Sequence, residues 1–202
     1  MHKNPIAAIA TPSGAGGVGI IRISGSSLRD LAAQLLGKAP RLRFAHYFVL
    51  RDSDNNQIDQ TLLIYFQSPA SFTGEDVIEI HCHGGPRITQ AVLKRVLEIG
   101  RAYGMVAAGP GDFSLRAYLN GKIDLVQAEA IADLINAQSD AALKGATLSL
   151  QGKFSSQINQ LVEQITQLRV LVESTLDFPE EEIEFIEAAN AKERLKEIIG
   201  IL

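Results

Sequence analysis

The spacing of hydrophobic and polar positions divides the chain into two parts. In the first part, short runs rich in Ile, Val, Phe and Tyr alternate with polar turns and with two longer amphipathic stretches. Short β-branched and aromatic runs are typical of strands, whereas apolar residues recurring every three or four positions are typical of helices. The predicted strands are Ile6–Ala10, Gly19–Ile23, Tyr47–Arg51, Thr61–Phe66, Val77–Cys82 and Val106–Ala108, and the predicted helices are Leu28–Leu36 and Pro86–Tyr103.

From Asp124 onward the pattern becomes helical. Asp124 and Gln127 form a plausible capping pair ahead of the run LVQAEAIADLINA, and Ser139 can cap a longer helix that ends near Phe178. The longer helix carries a regular apolar seam made of Phe154, Ile158, Leu161, Ile165, Leu168 and Val172. Core packing is the preferred interpretation of this seam.

Together these patterns predict an α+β protein, with a mixed-sheet domain at residues 1–118 and an all-helical segment at residues 119–202. The chain has 202 residues with 46% hydrophobic content, enough for one large or two small cores. The net charge changes sign at the same boundary. Residues 1–118 contain 12 Lys and Arg and 9 acidic residues, whereas residues 119–202 contain 7 Lys and Arg and 14 acidic residues. The first part has no Lys/Arg stripe with interleaved aromatic residues, so we expect weak binding of nucleic acid, if any.

No apolar run approaches the ~18 residues that a membrane span needs, and the N-terminus lacks a signal-peptide pattern. We therefore expect no membrane association and a cytoplasmic location. The single cysteine, Cys82, excludes an internal disulfide.

One carboxylate and two cations interrupt segments that are otherwise apolar or turn-like. Glu79 lies in the strand run DVIEIHC, Arg22 lies among the isoleucines of GIIRISG, and Lys122 follows Gly121 at the end of a short helix predicted within DFSLRAYLNGKID. A buried, unpaired carboxylate costs several kcal/mol or takes up a proton. Glu79 therefore needs an internal cation or a ligand with N–H donors, unless it occupies a solvated edge strand. The three residues outline a ligand site.

Nucleotide-binding chemistry is not predicted for these residues. The glycine run Gly14–Gly17 precedes a strand, whereas a phosphate-binding glycine loop opens a helix, so a tight loop is the better interpretation. The pairs Gly37-Lys38, Gly121-Lys122 and Gly152-Lys153 are followed by Ala, Ile and Phe instead of the Ser or Thr that a P-loop needs. The sequence as it stands is not expected to hydrolyse GTP.

No metal site is predicted either. His81 and His83 flank Cys82 on one strand, but one cysteine and no third ligand cluster nearby make a metal improbable. We interpret Cys82 as a packed strand residue and Gly84–Pro86 as a helix start with Pro86 at the first position. A solvated helix start is also the commoner reading of the acidic group Glu180, Glu181, Glu182, Glu184 and Glu187.

Five segments, taken in order, resemble one known family. They are ATPSGAGGVGIIRISG, SFTGEDVIEIHCHGGP, RAYLNGKIDLVQAEAIADLI, SLQGKFS and LVESTLDFPEEEIEF. This series resembles the N-terminal part of the MnmE (TrmE) family of bacterial tRNA-modification GTPases.

The resemblance implies a tetrahydrofolate-binding α+β domain that also dimerises, followed by the first part of a helical domain. By position within the motifs, Arg22, Glu79 and Lys122 would contact formyl- or methylene-tetrahydrofolate, and no catalytic residue is assigned. GTP, Mg²⁺ and K⁺ are expected only for a G domain outside this sequence. The implied partners are a second copy, an FAD protein of the MnmG type, and tRNA through the full complex, whose wobble uridine receives an aminomethyl or carboxymethylaminomethyl group.

Two other functions remain open at this point. One is a stand-alone folate-dependent one-carbon transferase, which the long helical tail disfavours. The other is a non-catalytic dimerisation module with a degenerate pocket. The resemblance also implies that the helices pack against helices contributed after the G domain. Without those helices, an uncovered apolar stripe is expected to favour self-association or aggregation.

Overall fold

The computed structural model describes residues 4–177 and 191–201. These residues fall into two units that divide between Ile123 and Asp124. The first unit is built on a sheet and the second on helices, which confirms the predicted α+β class.

Alternating apolar residues assemble a six-stranded mixed sheet in the first unit. Its strands are β1 (Ile6–Ile9), β2 (Gly16–Gly25), β3 (His46–Arg51), β4 (Gln57–Phe66), β5 (Asp76–Gly84) and β6 (Val106–Ala107). The spatial order is β3-β4-β5-β2-β1-β6, and every neighbouring pair is antiparallel except β1 with β6. The central strands β2 and β5 run longest beside each other, and they carry Arg22 and Glu79.

The first unit also contains α1 (Arg29–Leu36), α2 (Pro86–Gly100), a 3₁₀ turn (Arg101–Tyr103) and α3 (Asp112–Leu119). Ile21, Ile23, Ile78 and Ile80 are fully buried in the core together with Val92 of α2. Since strand side chains alternate between faces, the residues between these isoleucines lie on the other face of the sheet. That second face carries the candidate site.

Most predicted elements are present, with differences at their ends. β2 starts at Gly16, before the predicted Gly19, because Gly16 pairs with Gly84 across a bulge. β4 starts at Gln57, which pairs with Arg51 of β3. The helix predicted to reach Tyr103 is α-helical only to Gly100 and then tightens into the 3₁₀ turn.

The carboxylate of Asp76 ties three segments of the first unit together. It is buried and accepts hydrogen bonds from Leu28 N (2.9 Å), Tyr65 Oη (2.8 Å) and Ser68 N (2.9 Å). Burial and this hydrogen bond to Asp76 both raise the pKa of Tyr65, so the phenol stays protonated. The start of α1, strand β4 and the loop after β4 are thereby fixed to the start of β5.

The second unit contains α4 (Leu125–Asn136), α5 (Asp140–Leu150), α6 (Lys153–Asp177) and α7 (Ala191–Ile201). The capping box of Asp124 and Gln127 is present, and Ser139 Oγ accepts from Ala142 N at 3.2 Å, as predicted. The single long helix predicted after Ser139 is wrong. It ends at Leu150 and a new helix begins at Lys153, because Gly152 adopts the left-handed conformation (φ 73°) between them.

The predicted seam lies along α6, which packs against α5 and α7. Core packing describes it only in part, because Phe154, Ile158 and Ile165 remain 40–49% exposed. The predicted helix end near Phe178 and the acidic group after it lie outside the described residues. No helix among residues 4–177 and 191–201 is long and apolar enough to cross a membrane.

Position 84 requires glycine because the backbone of β2 passes too close to leave room for a side chain. A substitution can test this requirement. A Cβ at this position would lie 2.6 Å from Gly16 O and 2.7 Å from Val18 O, both backbone atoms of β2. We expect Gly84→Ala to lower the free energy of unfolding by about 1–3 kcal/mol in chemical denaturation. Gly17→Ala is the matched control, because its Cβ would meet nothing within 4 Å. Equal effects of the two substitutions would contradict this explanation.

Candidate functional site

Arg22 and Glu79 form an ion pair on the half-buried face of the sheet. The two residues are direct partners in the β2–β5 register. Arg22 Nε and Nη2 donate to Glu79 Oε1 at 2.9 and 2.7 Å, and the side chains are 30% and 17% exposed. The partner that the sequence required for Glu79 is therefore an internal arginine.

The second oxygen of Glu79 is far less engaged. Within the described parts of the chain, its contact is with His81 Nε2 at 3.5 Å, the outer limit for a hydrogen bond. A carboxylate oxygen can accept two hydrogen bonds. Oε2 is therefore available to a group with N–H donors that approaches this face.

Two aromatic rings flank the guanidinium of Arg22. Its Cζ atom lies 5.8 Å from the ring centre of Phe72 and 5.9 Å from that of Phe113. Phe72 lies in the loop of residues 67–75 and is 40% exposed, and Phe113 lies at the start of α3. The ion pair thus has apolar neighbours against which a flat ring could pack.

A buried polar network fixes these neighbours. Arg116 of α3 donates to Glu75 Oε2 at 2.8 Å and to Asn4 O at 2.7 Å, and its side chain is only 7% exposed. Ser24 Oγ lies 2.8 Å from Glu75 Oε2 and 2.7 Å from Thr73 Oγ1. The network joins α3, the end of β2 and the loop of residues 67–75, which are the elements that carry Phe113, Arg22 and Phe72.

Lys122 is held by the end of α3. Gly121 is left-handed (φ 66°), as predicted, and the bonds Gly121 N to Tyr118 O (3.0 Å) and Lys122 N to Ala117 O (2.8 Å) make a Schellman motif. The Lys122 ammonium donates to Pro69 O at 3.1 Å.

A Cβ on Gly74 (φ 76°) would lie 3.0 Å from Lys122 Cγ, so the aliphatic stem of Lys122 rests on the loop of residues 67–75. The structure thus brings Arg22 and Glu79 into contact, and it places Lys122 against the loop that also supplies Phe72.

Sequence reasoning did not single out Phe72, Phe113 or the network of Arg116. Phe72 gave a usable signal, because a phenylalanine in a polar, glycine-containing turn is poorly placed for core packing. Arg116 gave none, since its partners are distant in sequence.

A second histidine–carboxylate pair joins β4 to β5. Asp59 Oδ1 is 2.7 Å from His83 Nδ1, and Oδ2 accepts from His83 N at 2.8 Å. Burial opposes ionisation of Asp59, but hydrogen bonds from His83 and from Gln60 N outweigh it, so the pKa of Asp59 is lowered. No group of three or more metal-ligating side chains occurs among the residues that the structure describes.

Sheet, helical unit and site together define a two-part α+β protein whose sheet domain offers a charged, aromatic-flanked face. A family model described as the N-terminus of the GTP-binding protein TrmE matches residues 5–122. A second model, the MnmE helical domain, matches residues 125–202. The chain therefore belongs to the MnmE (TrmE) family.

Individual relatives agree with this assignment. The chain is 61% identical over 194 residues to the tRNA modification GTPase MnmE of Polynucleobacter asymbioticus, covering 96% of the chain and 42% of that protein. It is 53% identical over 197 residues to the protein of the same name from Nitrosomonas eutropha, covering 98% and 43%. It is 52% identical over 192 residues to the protein of the same name from Bordetella parapertussis, which covers 95% of the chain and 43% of that protein. The chain thus spans about two fifths of the length of these relatives.

Cys82 should be chemically inert in the folded protein. Burial, assisted by the charge of Asp59, raises the pKa of its thiol to about 11, and the thiol donates to Gly19 O. The folded thiol therefore holds its proton at pH values where an unfolded cysteine, with a pKa of about 8.5, is half ionised. At that pH we expect iodoacetamide to alkylate the native chain at least about 100-fold more slowly than the chain in denaturant. Similar rates in both states would contradict the buried, protonated thiol.

Proposed function

We propose that the sheet unit is the folate-binding part of a tRNA-modification GTPase. The observation that carries the proposal is the geometry of Glu79. Arg22 holds one oxygen of this carboxylate and leaves the other open on a face lined by two phenylalanines. A half-buried carboxylate with an open oxygen favours a ligand that carries N–H donors.

A reduced pterin has the matching chemistry. It presents an exocyclic amine beside a ring N–H, and Glu79 Oε2 can accept from these groups. The flat pterin ring suits the aromatic side chains of Phe72 and Phe113. Arg22 would keep the Glu79 carboxylate oriented, while the remaining N–H groups of Arg22 face polar oxygens of the ligand.

Lys122 would bind the same ligand from its position against the loop of residues 67–75. Its ammonium is exposed and bonded to a neutral carbonyl, so it keeps two further donors for an anionic group. A folate with a glutamate tail supplies such a group. This assignment agrees with the family motifs, in which the corresponding arginine, glutamate and lysine contact folate.

For the whole protein we infer a cytoplasmic GTPase that works on tRNA. The relatives are named tRNA modification GTPase. Through the family we infer a homodimer, an FAD-dependent partner of the MnmG type, and addition of an aminomethyl or carboxymethylaminomethyl group to the wobble uridine. GTP, Mg²⁺ and K⁺ would bind a G domain that this sequence does not contain.

Calorimetric titration with 5-formyltetrahydrofolate tests the folate proposal. We expect saturable binding to the chain and at least about 10-fold weaker binding to Glu79→Gln, which loses the charge that attracts the N–H donors. Lys122→Gln should weaken binding about 3- to 10-fold, because an exposed charge contributes less than a half-buried one.

Glu98→Gln is the matched control, since Glu98 also pairs with an arginine at the surface (Arg95, 3.2 Å) but lies on α2. It should bind folate like the unaltered chain. Equal affinity of the Glu79→Gln variant would remove Glu79 from the site. A folded chain that dimerises but binds no folate would support the non-catalytic dimerisation module instead.

A further inference from the structure

The basic residues of the first unit are unevenly distributed. Residues 31–51 contain Lys38, Arg41, Arg43 and Arg51 and no acidic residue, in a chain whose net charge is −4. Residues 60–74, which lie beside this segment in the sheet and in the following loop, contain no charged residue at all. Over these two ranges the charge is therefore positive, although the chain as a whole is acidic.

Hydrophobic rings are exposed among these cations. Arg41, Leu42, Arg43 and Phe44 are consecutive exposed residues between α1 and β3. Phe44 is 43% exposed, and Tyr47 at the start of the edge strand β3 is 61% exposed. The two rings therefore lie exposed within a few residues of Arg41 and Arg43.

The ring of Phe44 is fixed in place. The guanidinium carbon of Arg41 lies 4.3 Å from its centre, and the ring of His46 meets it edge-on at 4.9 Å. His46 is buried, and its Nε2 accepts from Arg41 N at 2.9 Å. The segment thus presents a pre-ordered cation and ring, which reduces the entropy lost on binding.

Two more cations converge on the neighbouring loop. Arg43 Nη2 donates to Ala70 O, and Lys122 Nζ donates to Pro69 O at 3.1 Å. These carbonyls belong to adjacent residues, so both cations are bound to the same short stretch of the loop. We define the basic–aromatic surface as Lys38, Arg41, Arg43, Phe44, Tyr47 and Lys122.

We propose that the basic–aromatic surface binds an unpaired segment of RNA, with phosphates on the cations and bases stacked on Phe44 and Tyr47. Cations alone would suit any polyanion, but exposed rings beside them match the stacking platforms of single-strand binding sites. Phe44 and Tyr47 are three residues apart, within about 10 Å, which is the reach of one or two stacked nucleotides. The inference rests on the proposed function, because a tRNA-modifying protein must meet an exposed loop of its substrate.

The overall charge pattern of the first part predicts no basic stripe with interleaved aromatic residues. Four of its members, Arg41, Arg43, Phe44 and Tyr47, nevertheless lie within seven consecutive residues. The structure adds Lys122, because Lys122 and Arg43 both donate to carbonyls of the loop of residues 67–75. Lys122 is 79 positions further along the chain.

Fluorescence anisotropy with a labelled RNA hairpin tests the proposal, using the whole chain without folate. The hairpin has the stem and loop of a tRNA anticodon arm, and a fully paired duplex of the same stem is the comparison. We expect the hairpin to bind about 10-fold more tightly than the duplex, because only its loop offers free base faces.

Two variants separate the contributions of charge and stacking. Arg41→Gln should weaken hairpin binding about 3- to 10-fold and reduce the slope of log affinity against log salt by about 0.7, the loss of one phosphate contact. Phe44→Leu should weaken it about 5-fold or more and leave the slope unchanged, because stacking releases no counterions. Arg87→Gln, an exposed arginine on α2, is the matched control and should change neither quantity.

Several results would overturn the proposal. Equal affinity of the Phe44→Leu variant, or equal binding of duplex and hairpin, would reduce the surface to a general polyanion site. A change of oligomeric state in Phe44→Leu, measured by sedimentation, would make the surface an interface between copies. Folate binding is measured in a separate titration, so an absence of folate binding would not affect the RNA test. The Phe44→Leu variant should keep the folate affinity of the unaltered chain.

Discussion

Two adjacent carboxylates, Glu75 and Asp76, organise the functional end of the first unit. Glu75 is the last residue of the loop of residues 67–75 and Asp76 is the first residue of β5, and their side chains reach different partners. Asp76 gathers N–H and O–H donors on the core side, and Glu75 meets Arg116 and Ser24 on the other. Because a buried carboxylate without donors is costly, the hydrogen bonds to Asp76 stabilise the arrangement of α1, β4 and this loop around the start of β5.

The loop of residues 67–75 is the element that these contacts hold, and both proposed functions depend on it. It contributes Phe72 to the neighbourhood of Arg22 and Glu79, and its carbonyls at Pro69 and Ala70 position the cations of Lys122 and Arg43. A folate site and an RNA surface built on one loop would bring a one-carbon donor and its acceptor nucleotide to the same region. Movement of the loop would then affect both sites together.

Local chemistry was readable from the sequence, because its causes lie within a few residues. Pro86 starts α2, Gly121 closes α3, and Asp124 with Gln127 caps α4, as their spacing indicated. The need of Glu79 for a hydrogen-bonding or charged partner was also a local signal, since it follows from one carboxylate in an apolar strand. Gly152 shows the limit, because the continuous apolar pattern around it predicts an unbroken helix, whereas this residue makes a left-handed turn.

The sequence by itself thus determined the α+β class, the helix ends marked by Pro86, Gly121 and Asp124, and the need for a partner at Glu79. Only the tertiary structure decided that Arg22 is that partner, because the pairing comes from the β2–β5 register across 57 positions. It likewise decided that Phe72 and Phe113 flank the pair. Such contacts join residues that are distant in the chain, and their choice is made by packing of the whole sheet and its loops, which no local pattern records.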